Sequence, residues 1–210
     1  MTSRPRLLAP ILLVAALALV SGCGGSSSKK SPSAVVHAKP TPFQGAIANP
    51  PKPAPALKLT DSTGKPFDLR GLHGKAVLIT FLYTHCPDVC PLIAGNLHTS
   101  VKKLGPKAAN LQIVAVSTDP RGDTPKTVKK FLAAHQLTGT MRYLIGSKSK
   151  LGAVWKTWGV ASRPDRTNPN RVEHSALIYG ISASGKITTL YPSNFNPAQI
   201  VNDVPLLEKQ

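Results

Sequence analysis

With 210 residues, 41% hydrophobic and 17% charged, the chain suits one ordinary globular domain rather than two once its amino-terminal segments are set aside. A formal charge of +17, from 26 Lys+Arg against 9 Asp+Glu, attracts polyanions and anionic headgroups. The lysines nevertheless fall in pairs (Lys29-Lys30, Lys102-Lys103, Lys129-Lys130) with no basic helix and no interleaved aromatics, which argues against nucleic-acid binding and for a soluble surface facing a membrane.

Residues 1–22 have the three parts of an export signal: Arg4 and Arg6, an apolar run from Leu7 to Val20, and small residues up to Cys23. The run is about 14 residues long, short of the roughly 20 that a spanning helix needs. Val20-Ser21-Gly22-Cys23 resembles a bacterial lipobox, which implies that Cys23 is lipid-modified and becomes the mature amino terminus. The predicted location is therefore the extracytoplasmic face of the cell membrane, held by lipid. From residue 23 to 55 the chain is rich in Ser, Lys, Pro and Ala, with Pro40, Pro42, Pro50, Pro51, Pro53 and Pro55 keeping it extended, so it is predicted to be a disordered tether. His37 in this segment reads as a solvated side chain.

Residues 56–210 carry the fold. Leu57–Thr60, a turn at Asp61–Gly64 and Phe67–Leu69 predict a small hairpin. Ala76–Tyr83 is an apolar run without alternation, the pattern of a strand covered on both faces. Pro91 is then expected to start a helix whose buried stripe is Ile93, Leu97, Val101 and Leu104. Gln112–Ser117 predicts a second buried strand, and Thr124-Pro125 an N-cap with proline at the first helical position. Tyr143–Ile145 is a short strand, Ser147 opens a helix to Gly159, and Ala161–Arg171 reads as an exposed loop. Strands at 176–181 and 187–191 follow, with a closing helix at about 197–208. This order predicts an α/β, thioredoxin-like sandwich with a central mixed sheet flanked by helices.

The chemistry sits at the carboxyl end of the first buried strand, where open α/β sheets place their ligands. Thr84-His85-Cys86-Pro87-Asp88-Val89-Cys90-Pro91 puts two cysteines three residues apart at a helix amino terminus, where thiolate is favoured. With Cys23 assigned to lipid, Cys86 and Cys90 remain as a pair in an exported protein. A purely structural disulfide between them would close a loop of only a few residues and gain little chain entropy, which favours a functional dithiol. The spacing is not the C-x-x-C of thioredoxin-type oxidoreductases. Two soft thiolates suit Cu(I) or Zn(II), with an imidazole as third donor. His174, just ahead of the strand from Ala176, is placed by topology to face the cysteines; His85 and His98 compete with it.

Phe81–Pro91, with Val116-Ser-Thr-Asp-Pro-Arg-Gly-Asp-Thr-Pro125 and Val172-Glu-His-Ser175, resembles the Sco/SenC family of copper-binding, thioredoxin-fold proteins that help assemble cytochrome c oxidase. Gly71–Ile79 resembles the run that precedes its cysteines. The likeness spans residues 54–210. It implies copper, as Cu(I) or Cu(II), on Cys86, Cys90 and His174, with Asp119 a further acidic residue near the site. It also implies delivery of that copper to oxidase subunit II. Glu173 stands where the family more often has Asp. The resemblance leaves two activities open. One is a metallochaperone whose only chemistry is ligand exchange; the other is a thiol-disulfide reductase using Cys86 and Cys90 on the recipient's cysteines.

Overall fold

A computed structural model describes residues 41–164 and 172–210. The expected export signal, Cys23, His37 and most of the tether lie outside them. Among the described residues no helix is long and apolar enough to cross a membrane.

Among the described residues the fold is an eight-stranded mixed sheet, with a separate two-stranded ribbon, flanked by four α-helices. The strands are β1 (Ala46–Pro53), β2 (Lys58–Asp61), β3 (Pro66–Asp68), β4 (Ala76–Leu82), β5 (Leu111–Ser117), β6 (Met141–Ile145), β7 (Ser162–Pro164), β8 (Val172–His174), β9 (Leu177–Ile181) and β10 (Lys186–Pro192). The helices are α1 (Val89–Leu104), α2 (Pro125–Ala134), α3 (Lys148–Trp158) and α4 (Pro197–Leu207). The sheet order is β1-β10-β9-β4-β5-β6-β2-β3, and β7 pairs with β8. β4 runs parallel to β5 and antiparallel to β9, and all seven of its residues are buried. That is the two-sided burial its unbroken apolar run requires. Ala76, Leu78 and Leu82 join a core with α1, α2 and α4; Val77, Ile79 and Phe81 face a second core with α3 and the β2–β3 hairpin.

Local signals explain the helix ends. Thr124 caps α2 by accepting from the Thr127 amide, with Pro125 at the first position, and Ser147 caps α3. α3 stops at Gly159, whose φ of 65° is left-handed and suits glycine.

Three expectations are corrected. Residues 46–53, expected in the tether, form β1 against β10. Its prolines are tolerated because β1 is an edge strand and its register shifts between Ile47 and Lys52. α1 begins at Val89, not Pro91; Pro91 lies in the first turn, where a missing N–H costs no intrahelical bond. The expected loop at 161–171 contributes Ser162–Pro164 to β7, and residues 165–171 lie outside the description.

Candidate metal centre

β4 delivers the chain into the site. Beyond Leu82, Thr84 donates its amide to Asp123 Oδ1 at 2.8 Å, and Cys86 donates its amide to the Tyr83 carbonyl at 3.3 Å. These bonds turn the loop back so that Cys86 lies just ahead of α1 and Cys90 in its first turn. Asp88, the N-cap, makes no side-chain capping bond. The sulfur of Cys86 takes that part instead, accepting from the Cys90 amide at 3.4 Å.

The third side chain comes from the ribbon. Ser162 pairs with His174, and the Ser162 hydroxyl donates to the Thr118 carbonyl at 3.0 Å, which ties β7 to the end of β5. His174 Nε2 lies 3.6 Å from Cys90 Sγ, and its Nδ1 is 3.1 Å from the Ser175 carbonyl. A carbonyl can only accept, so Nδ1 carries the proton and Nε2 presents its lone pair to the sulfurs. Metal-binding imidazoles are oriented by this kind of outer partner. The ring of Tyr83 stands edge-on to His174, centroids 5.6 Å apart.

The ligand atoms of Cys86, Cys90 and His174 all lie within 4.8 Å of one another. Among the described residues this is the one such group of three. Cys86 and Cys90 are free thiols, 8% and 0% exposed. Two sulfurs and one unprotonated imidazole nitrogen, converging without a carboxylate among them, form a soft donor set suited to Cu(I) or Zn(II).

The other candidates fall outside the group. His85 is exposed, with Nδ1 3.1 Å from the Thr84 hydroxyl; His98 Nδ1 meets the Gln136 carbonyl at 3.2 Å across from α2. Asp119 accepts from the Arg121 amide at 3.1 Å. Two contributors were not singled out in the sequence, Tyr83 and Asp123. Asp123 is 5% exposed and accepts from the Thr84 amide, the Ser117 hydroxyl at 2.7 Å and the Tyr143 hydroxyl at 3.0 Å, so it anchors the cysteine loop to β5 and β6. Its position inside the Asp-Pro-Arg-Gly-Asp run was visible; its burial was not. Desolvation raises its pKa, opposed by those hydrogen bonds.

The expectation that both sulfurs favour thiolate holds for one. Cys86 is held well below the ordinary cysteine range, chiefly because Cys90 donates to its thiolate, with further help from backbone amides. Cys90 is pushed up by the same interaction and by burial. At about pH 6, where a free cysteine is almost wholly protonated, iodoacetamide is therefore expected to label Cys86 first and leave Cys90 unmodified until the protein unfolds. Peptide mass spectrometry reads the order, and equal labelling of the two would refute the asymmetry.

The sequence profile described as SCO1/SenC matches residues 47–207. Protein SCO2 of Saccharomyces cerevisiae mitochondria is 32% identical over 145 residues, covering 67% of this chain and 48% of the yeast protein, so the match spans about half of that relative. Copper-bound ScoI of Bradyrhizobium japonicum is similar in structure with a TM-score of 0.65 at 28% identity, over 74% of this chain and 99% of its own. Apo Sco1 of Thermus thermophilus gives 0.69 at 29% identity, over 79% and 96%.

Proposed function

Because the chain belongs to the SCO1/SenC family, we propose that it is a copper-binding assembly protein held at the outer face of the cell membrane by lipid on Cys23. In this reading Cys86, Cys90 and His174 bind one copper ion and pass it to cytochrome c oxidase subunit II. The observation that carries the proposal is the convergence of those three donors within 4.8 Å. Copper rather than zinc is supported by the copper-bound ScoI structure and by a soft set of three donors. The oxidase as destination is supported by a structural relative described as a member of the Sco family of cytochrome c oxidase assembly proteins. When bound, copper supplies a centre for ligand exchange. The chain's own work is to keep Cys86 ionised, to present the lone pair of His174 through its Ser175 contact, and to hold the sulfurs away from bulk water.

The split between the two cysteines favours a second reading, a thiol-disulfide reductase. The Cys86 thiolate would attack one sulfur of a recipient disulfide and release the other as a thiolate. Cys90, passing its proton to the thiolate already released, would then attack Cys86, form the Cys86–Cys90 disulfide and release the second recipient sulfur as a thiolate that takes a proton from water. Two electrons pass from this chain to the recipient, and the chain is left oxidised. Both readings use the same sulfurs. A disulfide brings the Cβ atoms to about 3.8 Å and leaves no thiolate for metal.

The deciding experiment is copper loading of reduced and oxidised protein. Reduced protein is expected to retain one Cu(I) per chain through desalting and to protect both cysteines from alkylation; oxidised protein is expected to take up none. Tight uptake by fully disulfide-bonded protein would show that the cysteines are not the ligands. Reduced protein that retains no copper yet reduces a disulfide substrate would favour the reductase.

The anchor has its own test. Cys23→Ala is expected to abolish incorporation of labelled fatty acid and to release the protein from the membrane pellet. A variant that still incorporates the label would overturn the lipoprotein assignment.

A further inference from the structure

A cleft of about 560 Å³ opens beside the cysteine loop, between Thr84 and His85 on one side and α2 on the other. This volume is within the roughly 300–1,000 Å³ of ordinary ligand sites. Lys126, Lys130 and Ala134 stand one above the other on the rim at helical spacing, and Phe131 forms the floor, 6% exposed, with the His135 ring packed on it at 4.5 Å between centroids. Lys126, Lys129 and Lys130 are exposed, and α2 contains no acidic residue. Among the described residues, none of the four ion pairs uses a lysine of α2. Among the described residues, no carboxylate lines the cleft. The opposite wall, His85, immediately precedes Cys86.

We propose that this cleft docks an acidic segment of the protein with which the chain exchanges copper, its carboxylates on Lys126 and Lys130 and an apolar side chain over Phe131. The proposal rests on the copper-exchange reading, which makes the edge of the cysteine loop the place where a partner must arrive. Charge complementarity fixes the partner's chemistry: two unpaired ammonium groups around an apolar floor match carboxylates flanking an aromatic or aliphatic side chain. The surface serves encounter and orientation, leaving the sulfurs free to trade the ion. Rim charges of this kind act mainly on association rate and on its salt dependence.

The test uses the full chain in detergent micelles and a fluorescein-labelled peptide, Glu-Glu-Trp-Glu-Glu, with the matching glutamine peptide as control. The glutamate peptide is expected to saturate at one per chain, to bind more weakly as salt rises, and to lose about tenfold in affinity in Lys126→Glu/Lys130→Glu. The glutamine peptide is expected not to bind. Copper content is measured on the same samples and is expected to be unchanged by the double variant. A protein that binds peptide but retains no copper would therefore overturn the copper reading and leave the cleft standing. Lys103→Glu/Lys107→Glu, at the last turn of α1 and in the 3-10 turn just after it, makes the same change in net charge and is expected to leave peptide binding intact. Equal losses in the two double variants would overturn the proposal, because net charge alone would then explain binding. It also falls if Lys126→Glu/Lys130→Glu binds the peptide like the parent but loses binding to phosphatidylglycerol vesicles, since the patch would then be a membrane contact.

Discussion

Cys90→Ser is expected to remove copper retention under a competing Cu(I) chelator, with His174→Ala weakening it less completely. Cys90 is fully buried, and its sulfur lies within 4.8 Å of the ligand atoms of Cys86 and His174, at 3.6 Å from His174 Nε2. A serine hydroxyl is a hard donor that stays protonated at neutral pH, so the substitution removes a soft ligand and leaves a buried hydroxyl in its place. Losing an outer-shell partner commonly weakens a metal site by about 10–100-fold, and loss of a direct sulfur ligand should exceed that range. Cys86→Ser should behave alike, and it also removes the acceptor of the Cys90 amide at the start of α1. His85→Ala and His98→Ala should retain copper as the parent does, since neither side chain joins the group. Chelator competition followed by metal analysis is the measurement. Full retention in Cys90→Ser, with the fold intact by circular dichroism, would remove the thiolate site from this account.

The second large effect is on stability and lies away from the candidate metal centre. Asp203, in α4, is 0% exposed and accepts four hydrogen bonds. They come from the Gln44 and Gly45 amides, both at 2.8 Å, the Tyr191 hydroxyl at 2.9 Å and the Asn202 side-chain amide at 2.8 Å. Asn202 also donates to the Pro42 carbonyl and Gln199 to the Gln44 carbonyl, each at 2.8 Å. Residues 42–45 are thus clasped to α4 before β1 begins. Gly45 permits the approach: a Cβ there would stand 2.5 Å from the Tyr191 ring. Asp203→Ala leaves the buried Gly45 amide and Tyr191 hydroxyl and the part-buried Gln44 amide without their acceptor, and should destabilise the domain by about 4 kcal/mol. For a domain of this size that is a fall in Tm of roughly 8–16 °C. Asp203→Asn should lie between, because an amide keeps one acceptor oxygen but turns its NH2 group toward a donor. Copper content should be unaffected in both. A melting temperature within a degree of the parent would show that the clasp does not hold the segment in solution.

The two effects differ in how far they could be read from the residues. The cysteine pair follows a long apolar strand and precedes a helix, and each of those signals is local: two-sided burial writes an unbroken apolar run, and a 3.6-residue period writes a buried stripe. The α/β order followed from the same signals, as did the caps at Thr124 and Ser147. Topology made His174 the best-placed third donor, but only the family likeness ranked it well above His85 and His98, because a histidine at a strand entry carries no local sign of what it will face. Asp203 could not be found in this way. It reads as one polar residue in a closing helix, and its partners are 158 and 159 positions away. The strand at residues 46–53 was hidden for a related reason: a proline-rich edge strand has no pattern of its own and exists only because β10 offers it an unpaired edge.

What the sequence by itself determined is the element order, the two-faced burial of the central strand and the identity of the soft donors at its end, all encoded by neighbours within a few residues. Tertiary structure alone decided how those donors differ. Cys86 becomes the thiolate because Cys90 and the first turn of α1 donate to it, and Cys90 stays protonated because it is buried behind that charge. His174 offers Nε2 because its Nδ1–H donates to the Ser175 carbonyl, which keeps the proton on Nδ1. Hydrogen bonds and desolvation act over a few ångströms of space, and the chain brings residues 86, 90 and 174 to that separation only when the ribbon of β7 and β8 folds back over the end of β5.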